Sequence, residues 1–159
     1  MGTAVDKSPT ACYSEYERKS TVDIEDAMRR YDNIRDFLRD HVDGFQGVEL
    51  SGYLQQIVKK KGISRADAIK AADISESFAY QIFSGDKHPS RDKLLALAIG
   101  LSMDAEECRR ALKLAGHSEL YLKNRRDAII AFGLRKRLDI YEINDLLFQM
   151  DEPALTKME

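Results

Sequence analysis

SRADAIKAADISESFAYQIFSGDKHPS, residues Ser64 to Ser90, is the stretch on which the reading of this chain turns. The Ser64 hydroxyl is of the type that accepts from the free N–H groups of a helix start, so a first helix runs from Arg65 to Ala72. Asp73 and Ile74 form a corner, and Asp tolerates the left-handed conformation better than most residues. Ser75 caps a second helix, which carries Phe78, Ile82 and Phe83 on one side at helical spacing. Gly85 stops it in the left-handed conformation that glycine adopts without strain. Pro89 blocks continuation, and Ser90 caps the next helix.

Toward the C-terminus, Arg91 to Ile99 reads as a helix carrying Leu94, Leu95, Leu97 and Ala98, with Gly100 as its stop. Met103 to Ala115 has Cys108, Ala111, Leu112 and Ala115 on one face and Gly116 as its stop. The Cys108 position on that stripe predicts a packed thiol. Asn124 caps a helix with an apolar body of Ala128, Ile129, Ile130, Phe132 and Leu134. Asp139 caps a last one, with Ile140, Ile143, Leu146, Leu147 and Met150 in its stripe and Pro153 as its stop. Residues 102–155 therefore form a C-terminal helical extension that enlarges the core or pairs two chains.

Toward the N-terminus, a helix from Ser51 to Lys61 buries Leu54, Ile57 and Val58 and stops at Gly62. Lys59, Lys60 and Lys61 gather at its C-terminal end, where the helix dipole favours cations; phosphate contact is the functional alternative. The linker Asp43-Gly44-Phe45-Gln46-Gly47 precedes this helix. Before it, residues 21–43 read as one amphipathic helix with Ile24, Met28, Tyr31, Leu38 and Val42 on a stripe. Its other face is dense in Asp and Arg, and a dimer or partner helix is the alternative to packing within the chain. Residues 1–20 have no sustained period and are expected to be a mobile tail; Ser8, Thr10 and Ser14 there can accept phosphate.

Composition excludes several classes. With 43% hydrophobic and 33% charged residues over 159 positions, the chain is an ordinary globular one. The net charge of -2 is no nucleic-acid signature by itself, but its distribution is uneven. Residues 1–50 carry 7 Lys+Arg against 11 Asp+Glu, residues 51–100 carry 8 against 5, and residues 101–159 carry 10 against 11. Positive charge thus collects around the quoted stretch, as a phosphate-binding surface requires. Cys12 and Cys108 stand far apart in no metal spacing, which fits a reducing cytoplasm. No apolar run is long enough for a membrane, and no cofactor, metal or catalytic constellation is expected: His41, His88 and His117 are scattered and there is no glycine-rich phosphate loop.

The quoted stretch resembles the helix-turn-helix of the phage repressor and Cro-like (XRE) family, and aligns with its pattern without a gap. Ile82-Phe83-Ser84-Gly85 is similar to the end of that family's recognition helix, and Lys87-His88-Pro89-Ser90 to its K-x-P-S loop. The resemblance covers about Leu50 to Leu101. Ile69 stands where the family usually has a small residue, Asp73 where it usually has Gly, and Glu76-Ser77 where Gln or a basic residue is common. The resemblance implies an all-α, lambda-repressor-like helix-turn-helix domain over residues 50–101. It further implies a sequence-specific regulator that binds double-stranded DNA as a homodimer, not an enzyme. The implied DNA-binding residues are Ser64, Arg65, Ser75, Glu76, Ser77, Tyr80, Gln81, Lys87 and His88. Glu76, Ser77, Tyr80 and Gln81 belong to the base-reading face; Arg65, Lys87 and His88 contact phosphate or the groove edge. The competing reading, motivated by Glu76 and the acidic N-terminal region, is a protein-interaction or signalling adaptor on the same core, with phosphorylation as its control.

Overall fold

The structure, a computed structural model, describes residues 21–40 and 48–157; the expected tail and the Asp43–Gly47 linker lie outside them. Every regular element among the described residues is an α-helix: α1 (Thr21–Met28), α2 (Ile34–Asp40), α3 (Val48–Lys61), α4 (Arg65–Ala72), α5 (Glu76–Ser84), α6 (Arg91–Gly100), α7 (Ala105–Leu114), α8 (Arg125–Arg135) and α9 (Ile140–Gln149). The protein is all-α over this range.

Helix starts follow their capping residues. Ser64, Ser90, Asn124 and Asp139 each accept a hydrogen bond from the backbone N–H three residues on. Asp104 does the same within a full capping box, in which the Glu107 side chain accepts from the Asp104 N–H. Asp73 turns the corner between α4 and α5 at φ 55°, ψ 43°, and Gly85 ends α5 at φ 86°.

Four expectations need correction. Over residues 21–40, the described part of the single helix expected for 21–43, there are two helices. Asn33 breaks it by capping α2, accepting from the Asp36 N–H at 2.9 Å and donating to the Asp36 carboxylate at 2.8 Å. Of the expected stripe, Met28 and Leu38 are exposed, Ile24 and Tyr31 are half-buried, and Val42 lies outside the described residues; Phe37 is buried, edge-on to Tyr31. Helix α3 starts at Val48, not Ser51. Ser51 lies inside it, buried, and donates to the Phe83 carbonyl at 2.8 Å. The helix that begins at Arg91 does not stop before Gly100. Gly100 is its last residue, and the left-handed turn falls on Ser102 at φ 53°. Helix α9 ends at Gln149, with Asp151 left-handed at φ 59°, before Pro153 is reached.

Gly100 serves packing instead. A Cβ there would lie 2.4 Å from the Ala68 carbonyl oxygen and 2.8 Å from the Ala72 nitrogen. Helices α4 and α6 therefore cross with their backbones in near contact, through Ala68 and Ala72, both fully buried. Gly133 performs the same service where α8 meets Ile143 of α9. The core is one continuous cluster. It runs from Leu54 and Ile57 of α3 through Phe83 and Leu97 to Leu112, Ile130 and Leu147. The C-terminal helices thus enlarge the core of α3–α6 rather than pack separately.

Gly100→Ala forces a methyl into backbone that cannot yield, and should cost about 3 kcal/mol in urea unfolding. Gly62→Ala, at φ 65° with open space around it, should cost only about 1 kcal/mol through its left-handed backbone. Equal effects would refute the close crossing.

Candidate nucleic-acid interface

Helix α5 is held at both ends. Its start follows from the left-handed Asp73 corner; its end is fixed by Ser51 and Gln55 of α3, both donating to the Phe83 carbonyl, at 2.8 and 3.1 Å. Ala79, Ile82 and Phe83 are buried, while Glu76, Ser77, Tyr80, Gln81 and Ser84 are exposed. The two sets interleave at helical spacing, so one face anchors the helix and the other is a continuous polar strip about 12 Å long.

The sequence-derived residues fall into three groups. Glu76, Ser77, Tyr80 and Gln81 share the outward strip, with Tyr80 40% exposed. Ser64 and Ser75 stand at helix starts. Ser64 caps α4, but the Ser75 side chain makes no capping bond and sits 3.3 Å from the Ser77 hydroxyl. Arg65, Lys87 and His88 are exposed, in different settings. The Arg65 guanidinium lies 5.8 Å over the Phe83 ring, a cation–π contact.

His88 is part of a clasp that sequence reading did not find. Its Nε2 is 2.7 Å from the Ala115 carbonyl, and the His117 Nε2 is 2.8 Å from the Pro89 carbonyl, with the rings 5.3 Å apart. A carbonyl only accepts, so both imidazoles carry the proton on Nε2. The two bonds run in opposite directions between the loop that precedes α6 and the end of α7. The signal was faint, since the two residues are 29 positions apart in the sequence.

Many cations that looked available for phosphate are engaged by the chain. Lys61 and Lys60 lie 2.9 and 3.4 Å from the two oxygens of Glu107, and Lys61 is only 20% exposed. Arg91 makes a two-pronged pair with Asp127, both bonds 2.9 Å, and donates to the Ser118 and Glu119 carbonyls. Its neighbour Asp92 receives Arg126 at 2.8 and 3.1 Å, and Arg126 also donates to the Pro153 carbonyl. An Arg-Asp dipeptide at the start of α6 thus exchanges ion pairs with an Arg-Asp dipeptide at the start of α8. Arg125 and Arg137 donate to the Met150 and Ser102 carbonyls. The basic cluster at residues 123–137 is in large part a set of struts.

The acid groups in these pairs are tuned accordingly. Burial works to raise the Asp127 pKa, but the Arg91 bonds, the Tyr121 N–H and the Arg91 and Arg126 charges together bring it below its ordinary value. Burial likewise opposes ionisation of Glu107, and the Lys61 bond, the Asp104 N–H and the two lysine charges overcome it, taking the pKa from 4.5 to about 2. Burial pushes the Cys108 thiol up to about 12, so it is a packed, unreactive group as its stripe position predicted. Among the described residues no group of three or more His, Cys, Asp or Glu side chains is placed to hold a metal ion, and no helix is long and apolar enough to cross a membrane.

A carboxylate whose folded pKa lies below its unfolded value contributes stability above the unfolded value and loses it as pH falls through the folded one. The Glu107 contribution is therefore complete above pH 4.5 and vanishes toward about pH 2. Glu107→Gln should lower stability at neutral pH and flatten the acid limb over that window, as read by urea titrations at a series of pH values. An unchanged acid limb would show that the lysine pairs contribute nothing. Set against known proteins, the chain matches no family model, no curated protein and no solved structure.

Proposed function

We propose that the chain is a sequence-specific DNA-binding regulator, built on a lambda-repressor-like helix-turn-helix unit of α3–α6, that reads the major groove with α5. The observation that carries this reading is the outward strip of Glu76, Ser77, Tyr80, Gln81 and Ser84 on a helix whose far end is tied down by Ser51 and Gln55. The strip's length of about 12 Å suits the roughly 12 Å width of a B-form major groove. Gln81 supplies a bidentate partner for adenine, and Glu76 an acceptor for cytosine N4. Arg65 and Lys87 supply sequence-independent phosphate contacts. His88 and Ser64 act by holding the loop and the helix start in shape. One recognition helix reads only a few base pairs, so a homodimer on a palindrome is the expected assembly.

The adaptor reading retains one specific support. The C-terminal region exposes Tyr121, Leu122, Phe132 and Phe148, the last 72% exposed, as a protein-docking surface does. The two readings separate on the strip, because the adaptor has no use for Gln81 or Lys87.

Selection from randomised duplexes, followed by anisotropy titrations over a range of salt, tests the DNA reading. Arg65→Ala and Lys87→Ala should weaken binding uniformly across sequences, each reducing the log–log salt slope by about 1. Gln81→Ala should erase preference at one base position at a cost of about 1–3 kcal/mol. Absence of retention at low salt would overturn the reading.

A further inference from the structure

A cleft of about 670 Å³ opens beside the start of α5, and it lies within the size range of small-molecule sites. Three segments wall it: the Asp73–Ser75 corner, α9 through Tyr141 and Asp145, and the closing stretch Leu155–Lys157. The third wall is firmly built. Asn144, 2% exposed, accepts from the Leu155 N–H and donates to the Thr156 hydroxyl, both at 2.9 Å. The Thr156 hydroxyl in turn donates to the Asp73 carboxylate at 3.4 Å, tying this wall to the corner.

The chemistry of the cleft is two-signed. Asp145 and Lys157 both line it, and among the described residues neither has an ion pair or hydrogen bond. Elsewhere this chain pairs its ions closely, as Arg91–Asp127, Arg126–Asp92 and Lys61–Glu107 do. Ile74 and Leu155 add apolar surface to the lining, and the Tyr141 hydroxyl adds a donor.

We propose that this cleft binds a zwitterion of about dipeptide size, its ammonium on Asp145, its carboxylate on Lys157 and an apolar side chain against Ile74 and Leu155. A free amino acid leaves most of the volume empty. A polyanion meets Asp73 and Asp145, and a polyamine meets Lys93 and Lys157. An occupant abuts the corner from which α5 starts, so in the DNA reading it is an effector. That consequence rests on the proposed function, whereas binding itself does not.

Titration of the free, isotope-labelled chain by amide NMR tests the site without DNA. The probes are Ala-Leu, N-acetyl-Ala-Leu, which lacks the ammonium, and Ala-Leu-amide, which lacks the carboxylate. Saturable shifts with Ala-Leu are expected at Asp73–Ser75, Tyr141–Asp145 and Leu155–Lys157, with each blocked probe binding about tenfold more weakly. Asp145→Asn should remove the discrimination against the acetylated probe, and Lys157→Gln that against the amide. Both positions are on the surface, so the variants fold. The proposal is overturned if Ala-Leu gives no saturable shift at about 10 mM, enough to fill even a millimolar site. It is equally overturned if the three probes bind alike, or if the shifts lie elsewhere.

Discussion

The near contact of α4 and α6 at Gly100 is the constraint from which the rest of the fold follows. The Ala68 carbonyl occupies the space a side chain would need, so α4 is seated against α6 at backbone distance. Helix α5 leaves α4 through a corner of two residues and a cap, so its direction is inherited from that seating. The direction in which α5 presents its polar strip is thus tied to a glycine at the far end of α6. Ala68 and Ala72 complete the contact, since larger side chains would hold the helices apart.

Charge is used in this molecule mainly to join segments. Arg91 and Asp92 of α6 meet Asp127 and Arg126 of α8 in two opposed pairs, and the guanidiniums also satisfy carbonyls of irregular segments. Removing one partner from such a partly buried pair leaves the other desolvated and unpaired, which is why these bonds bind the extension to the core. Lys60 and Lys61 do the same between α3 and α7. Arg65 and Lys87 remain exposed, while several other cations are engaged within the chain, so phosphate contact in the proposed reading depends on particular residues and not on bulk charge.

Much of this was legible because it is local. Capping at Ser64, Ser90, Asn124 and Asp139, the left-handed Asp73 and the Gly85 stop each depend on a few adjacent residues, and each appears where the chain's chemistry puts it. The failures have physical causes too. Asn33 looked like one more polar residue on an amphipathic helix, yet its side chain offers the Asp36 N–H a cap and breaks the helix. Gly100 carried the same signal as Gly116, but a glycine at a helix end serves either φ or closeness, and only the neighbour across the crossing tells which. In the candidate site, the strip Glu76–Gln81 follows from helical period alone. The His88–His117 clasp joins two residues 29 positions apart and has no local signature.

By itself the sequence determined an all-helical chain, the places where its central helices start and turn, and which face of α5 is apolar, since capping, glycine sterics and a 3.6-residue period act over short distances. Only the tertiary structure decided that Arg91, Arg126, Lys60 and Lys61 are struts, that His88 is anchored to the end of α7, and that the C-terminal helices share the core of α3–α6. It alone brought Asp145 and Lys157 to one cleft. Each of these depends on groups distant in sequence being brought together, and that is fixed by how closely helices can approach, not by the order of residues along any one of them.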